Sequence, residues 1–150
     1  MSRNGSKGLI VAVAKAAKKK LDVNDFEDRL LMQKGCFILN TMGVEPKYNF
    51  GLYIRGPYSS DLADDYYELH IDSSTPCETD VPSEHIDSLT EIMIKGTPFV
   101  EAYATILLAR KYNPNMKPGE LVDFVVDMKP HLKKKIEEAS EYLNPTPSAI

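Results

Sequence analysis

The stretch "YNFGLYIRGPYSSDLADDYYEL", Tyr48 to Leu69, decides how this chain is read. In its first eight residues Tyr48, Phe50, Leu52 and Ile54 alternate with Asn49, Gly51, Tyr53 and Arg55. Period two, with aromatic and β-branched residues, predicts a short strand or extended segment. Gly56-Pro57 breaks that pattern. Ser59 or Ser60 then caps a helix running to about His70. The rest of the chain reads as helices. The predicted fold class is therefore mainly α, a single domain of six or seven helices with one short β-strand or hairpin.

Working toward the N-terminus, a helix is expected from Asn24, a good N-cap, to Met42, with Gly43 as its stop. Asp25, Glu27 and Asp28 sit in its first turn, as the helix dipole prefers. Beyond them "LLM" and "CFIL" place apolar groups nearly all round, which predicts a central, buried helix. Lys34 lies awkwardly there, between Leu30 and Ile38 on a 3.6-residue repeat. It must either snorkel to water along its methylenes or find a partner, because desolvating it alone is expensive. A further helix is expected over residues 6–20, rich in alanine, with its lysines collected at the C-terminal end.

Working toward the C-terminus, "IDSSTPCETDVP" reads as a loop. Ser83 opens a helix to Lys95, with Ile86, Leu89, Ile92 and Met93 inward and Gly96 as the stop. Thr97-Pro98 starts a strongly apolar helix ending near Tyr112, the proline sitting where its missing N–H costs nothing. Helices over about 120–128 and from His131 onward complete the domain, taken as residues 1–144. Residues 145–150 read as a flexible tail.

At 150 residues the chain is long enough for one domain with a substantial core. No apolar run approaches the roughly 20 residues that span a bilayer, and "GLIVAVAKAA" reads as a helix of the mature protein rather than a targeting segment. Two distant cysteines, Cys36 and Cys77, favour a reducing cytoplasm over a disulfide scaffold. The net charge of −4 hides an asymmetry: residues 1–20 hold six Lys or Arg and no acid, and residues 56–94 hold ten acids and no Lys or Arg. Such separation bears on partner choice more than on folding.

Arg29 to Leu69, "RLLMQKGCFIL" followed by "YNFGLYIRGPYSSDLADDYYEL", resembles the YwgA-like proteins of prokaryotes and, more distantly, the Panacea (SocA-like) antitoxin domain. In those too a helix with a Gln-Lys pair leads to an aromatic strand, a Gly-Pro turn and an acidic helix. "DMKPHLKKKIEEASEYL" fits the C-terminal helix of YwgA-like chains. The chain departs from the pattern at Gly35 and Cys36, where larger aliphatics are expected. The resemblance implies a helical interaction domain that neutralises a toxin or delivers a client to a protease, and it does not imply catalysis.

Candidate sites follow from the residues themselves. Tyr53, Arg55, Gly56, Pro57 and Tyr58, with Asp61 and Asp65 of the acidic helix, form a candidate partner-binding patch: a rigid aromatic anchor, a cation and a close-approach glycine. The competing reading is a structural turn with Arg55 paired to an acid such as Asp61. Gln33 and Lys34 are a candidate polar pair joining the central helix to the tyrosines, and could line a small pocket. Asp61/Asp65 and Asp64/Glu68 are i,i+4 carboxylate pairs, but no calcium-loop glycine or second ligand motif accompanies them, so a solvated face is expected and no metal or cofactor is assigned. His70, His85 and His131 are scattered, and no nucleophile motif marks a catalytic residue. The basic terminal helices raise DNA binding by a transcriptional regulator as the alternative function, although a sequence pI near 5.4 and the absence of arginines beside those lysines weigh against it. The expectation is a cytoplasmic interaction module whose partner is another protein, a toxin or client.

Overall fold

The computed structural model describes residues 3–144, and the expected flexible tail at 145–150 lies outside them. Seven helices and one two-stranded hairpin occur in the order α1 (Arg3–Ala17), α2 (Phe26–Thr41), β1 (Gly51–Tyr53), β2 (Gly56–Tyr58), α3 (Ser60–Glu68), α4 (Ser83–Met93), α5 (Thr97–Tyr112), α6 (Pro118–Met128) and α7 (Lys133–Leu143). A 3-10 turn, Pro130–Leu132, joins the last two. The domain is mainly α, as the residue pattern predicts. No single described helix is long and apolar enough to cross a membrane.

Helix α2 is central. Its run Met32–Leu39 is buried without interruption, and it packs against α1, α4 and α5. Helix α5 is buried over Phe99–Ala109 and packs against α6 and α7 as well as α2. The middle of each helix is buried on all faces, Met32–Leu39 in α2 and Phe99–Ala109 in α5, so burial rather than amphipathic patterning sets the composition there. The hairpin packs where α2 and α5 meet.

The close approach of α1 to α2 depends on Gly35. A Cβ there would lie 2.5 and 2.8 Å from the two methyl carbons of Val13 and 3.1 Å from the terminal methyl of Met93. Val13 is fully buried, and its β-branched side chain has one strongly preferred rotamer in a helix. The departure from a larger aliphatic at this position is thus the condition for packing these two helices at this distance.

Several boundaries differ from expectation, each for a local reason. Helix α1 ends at Ala17, so Lys18, Lys19 and Lys20 follow the helix instead of closing it; Lys18 takes a left-handed conformation with φ 56°. The buried Asp28 carboxylate draws this segment in, accepting from Lys19 Nζ at 2.6 Å and from the Asp22 backbone N–H at 3.0 Å. Asp25, not Asn24, is the N-cap of α2. Ser59 caps α3, its hydroxyl accepting from the Leu62 N–H at 3.3 Å.

The extended segment is shorter than the alternation implies. Only Gly51–Tyr53 pairs, antiparallel with Gly56–Tyr58, in the register Gly51↔Tyr58, Leu52↔Pro57 and Tyr53↔Gly56. Gly56-Pro57 therefore belongs to a second strand and does not terminate a single one. Proline is tolerated because a two-stranded ribbon leaves each strand one free edge. Gly56 takes φ +108°, a conformation that suits only glycine well. The turn falls at Ile54-Arg55, so the strand does not run through to Arg55 as the alternation predicts, and Ile54 stands 88% exposed at the tip.

Candidate functional site

The sequence places the site at the hairpin, and the structure shows what lies beneath it. Lys34 is only 2% exposed, so it does not snorkel. Its ammonium lies 3.7 Å from Glu101 Oε1, close enough for an ion pair but beyond hydrogen-bond range. The other carboxylate oxygen, Glu101 Oε2, accepts from Lys129 Nζ at 2.9 Å. Lys129 Nζ also donates to the backbone carbonyl of Ile54, at the hairpin tip. Two buried cations thus share one buried carboxylate, and one of them holds the turn.

Gly56 closes this arrangement from above. A Cβ on it would lie 3.7 Å from Lys34 Cε, Glu101 Cγ and Thr105 Oγ1. Burial lowers the pKa of the Lys34 ammonium from its ordinary value; the Glu101 and Glu27 carboxylates oppose that shift, and Lys129 and Arg55 add to it. The arrangement contains no reactive centre within reach of solvent. Its chemistry is that of an anchor.

Gln33 is also buried, and its partners differ from those of Lys34. Its Nε2 donates to the Ser59 carbonyl at 2.9 Å and to the Tyr66 hydroxyl at 3.3 Å, while the Ser59 N–H donates to its Oε1 at 2.8 Å. One side-chain amide therefore satisfies both backbone groups at the junction of β2 and α3. Gln33 thus fastens the end of the hairpin to the central helix, while Lys129, held by Glu101, fastens its tip.

Outside, the hairpin presents apolar groups. Tyr53 is 59% exposed, and its ring meets that of Tyr58 edge-on at 5.4 Å. Arg55 does not pair with Asp61 or with any other acid among the described residues. Its guanidinium lies 5.6 Å from the centre of the half-exposed Phe26 ring, whose other cationic neighbour is Arg29, also at 5.6 Å. Phe26 comes from the first turn of α2, far from the hairpin in sequence, and no local pattern marks it as part of the patch. Gly56 and Pro57 are buried beneath it.

The acidic helix divides into two roles. Asp61 and Asp64 are exposed beside Tyr58 in the first turns of α3. Asp65 turns inward: its Oδ2 accepts from Tyr48 at 2.6 Å and from Ser6 at 3.2 Å, and ties α3 to α1. This corrects the reading of Asp65 as a partner-binding group and splits the Asp61/Asp65 pair. Among the described residues no group of three or more His, Cys, Asp or Glu is placed to hold a metal ion.

No family model, no curated protein and no solved structure matches the chain. The site therefore rests on its own geometry. Glu101, Lys129, Phe26 and Ile54 are the members that residue patterns missed. Glu101 left one signal, as the lone acid within the apolar run "FVEAYATILLA". Of the basic clusters, Lys19 is held by Asp28, Lys20 donates to the Thr75 carbonyl at 3.1 Å, and Lys135 pairs with Glu138 at 3.2 Å.

The buried hydroxyls and thiol around the central helix set a pH limit. Burial raises the pKa of Cys36 and of Tyr48, the latter aided by its bond to the Asp65 carboxylate. Burial also pushes Tyr66 up to about 12, opposed by Gln33. The unfolded chain loses these protons at lower pH than the native state does. Their contribution is complete below the unfolded pKa values and lost as pH rises toward the native ones. Lys34 acts in the opposite sense, because its native pKa is depressed and the unfolded state binds the proton more strongly. Tyr103, Tyr142 and Lys19 are raised as well and act in the same sense, so Lys34 stands alone against them and the melting temperature is expected to fall above about pH 9, where thiols begin to ionise. Thermal melts followed by circular dichroism across the alkaline range check this; a flat or rising profile would refute it.

Proposed function

We propose that the chain is a non-catalytic protein-interaction module whose docking face is centred on the hairpin. The observation that carries this reading is Ile54, 88% exposed at the tip of a turn whose carbonyl is held from beneath by Lys129. A large apolar side chain displayed on an anchored turn, flanked by Tyr53, Tyr58 and Phe26, has the composition of an interface centre. Aromatic residues and arginine dominate such centres because they offer large, rigid contact areas at low entropic cost. Anchoring lowers the ordering cost of binding, since the turn is already fixed before a partner arrives. Asp61 and Asp64 supply a charged rim. The resemblance of residues 29–69 to YwgA-like and Panacea domains supports the same kind of activity, in which a helical module neutralises a toxin or delivers a client.

Capture from a lysate of the host tests the reading. The wild-type chain, with nuclease present and at moderate salt, is expected to retain a stoichiometric protein. Ile54→Asp should reduce retention on the order of tenfold or more, as loss of an interface centre does. Arg55→Ala should also weaken it, and both variants should keep the wild-type helical signal. Retention of nucleic acid alone, lost on nuclease treatment, would defeat the proposal in favour of a DNA-binding regulator.

A further inference from the structure

The docking face carries charges of both signs, and that restricts what can cover it. Arg55 stands at one end of the patch, stacked on Phe26 and paired with no acid among the described residues. Asp61 and Asp64 are exposed in the helix that follows Tyr58, which the register Gly51↔Tyr58 sets at the end of the hairpin away from the Ile54-Arg55 turn, and neither pairs with a cation among the described residues. Tyr53 and Ile54 lie at the hairpin tip. A purely basic partner segment would meet Arg55 as a like charge, and a purely acidic one would meet Asp61 and Asp64. The surface is satisfied by a partner that presents an apolar centre with a cation at one end and acids at the other.

We propose that this occupant is a second copy of the chain, paired through the same face. A two-fold axis through the patch sets Arg55 of each copy against the Asp61 and Asp64 end of the other. Every ionic contact is then made twice, as an isologous interface requires. The same operation packs the Ile54 and Tyr53 side chains of each copy against the tyrosines of the other and removes an exposed apolar patch from water. The inference rests on the reading of this surface as a docking face and adds its regulation. Self-pairing occupies the site until a heterologous partner displaces the second copy.

Sedimentation velocity of the full chain, from low micromolar to near-millimolar protein, measures the state directly. A concentration-dependent dimer is expected. Ile54→Asp should raise the dimer dissociation constant on the order of tenfold or more. Arg55→Glu should weaken the dimer, as should Asp61→Arg combined with Asp64→Arg, and the three substitutions together should recover it, since the charges are then exchanged with the symmetry kept. A wild-type chain that stays monomeric throughout, or a dimer indifferent to Ile54→Asp and to both reversals, overturns the proposal. The docking-face reading is separable. A monomer that still captures a host protein through Ile54 refutes self-pairing alone, whereas a dimer with no captured protein leaves self-pairing standing and removes the heterologous partner.

Discussion

Glu101→Ala is expected to destabilise the protein by about 3–5 kcal/mol, the range for breaking a buried ion pair from one side. The cost comes from what is left behind. Lys34 and Lys129 are 2% and 5% exposed, so removing the carboxylate they share strands two buried ammonium groups without their ion-pair partner. Against a total stability of about 5–15 kcal/mol for a domain, such a loss moves the chain close to its unfolding threshold at room temperature. Urea denaturation of the variant measures it.

A control separates the worth of the arrangement from the penalty of breaking it. Replacing all three residues with apolar ones of similar size, Lys34→Met with Glu101→Leu and Lys129→Met, should cost far less than Glu101→Ala alone, because no buried charge remains. In that triple variant the Ile54 carbonyl loses its donor, so amide exchange over residues 53–56 should quicken even where global stability is recovered. A Glu101→Ala cost below about 1 kcal/mol, the size of a surface ion pair, would mean that both lysines reach water by a small rearrangement.

Gly35→Ala is the second large effect, and its sign depends on a competition. Alanine in place of glycine favours a helix interior by about 1 kcal/mol. Overpacking a filled core costs about 1–3 kcal/mol. Here the new methyl would sit 2.5 Å from a carbon of Val13, which is fully buried and β-branched and so has one strongly preferred rotamer, and overpacking is expected to win and leave the variant less stable than the wild type. Gly35→Leu should be worse still. Val13→Ala removes both obstructing methyls, so in the Val13→Ala background Gly35→Ala should become neutral or stabilising. A double-mutant cycle in urea reads that coupling directly, and additive effects would show that the two helices do not meet as described.

The mainly-α class, the helix order and the apolar central helix were legible in the residues, because capping groups, prolines and glycines act within a few positions of themselves. Ser59, Gly43, Gly96 and Pro98 mark their boundaries without help from the rest of the chain. The patch at Tyr53 to Tyr58 was legible as well, through its unusual composition. Its interior was not. Whether Lys34 snorkels or pairs depends on whether an acid from α5 reaches it, and Glu101 lies 67 positions along the chain from it.

The same limit explains the other differences. Period two carried the strand through Ile54 and Arg55 because alternation assumes that a strand continues, whereas the turn at Ile54-Arg55 ends it. Asp65 read as one of a solvated row until α1 placed Ser6 beside it and the chain returned Tyr48 to the same point. Gly35 looked like a missing aliphatic until Val13 filled its space. Local stereochemistry, and with it the element list, is written in neighbouring residues. Partners for buried charges and the fit between helices are settled only when distant segments meet, because electrostatic and packing energies depend on distance through space and not along the chain.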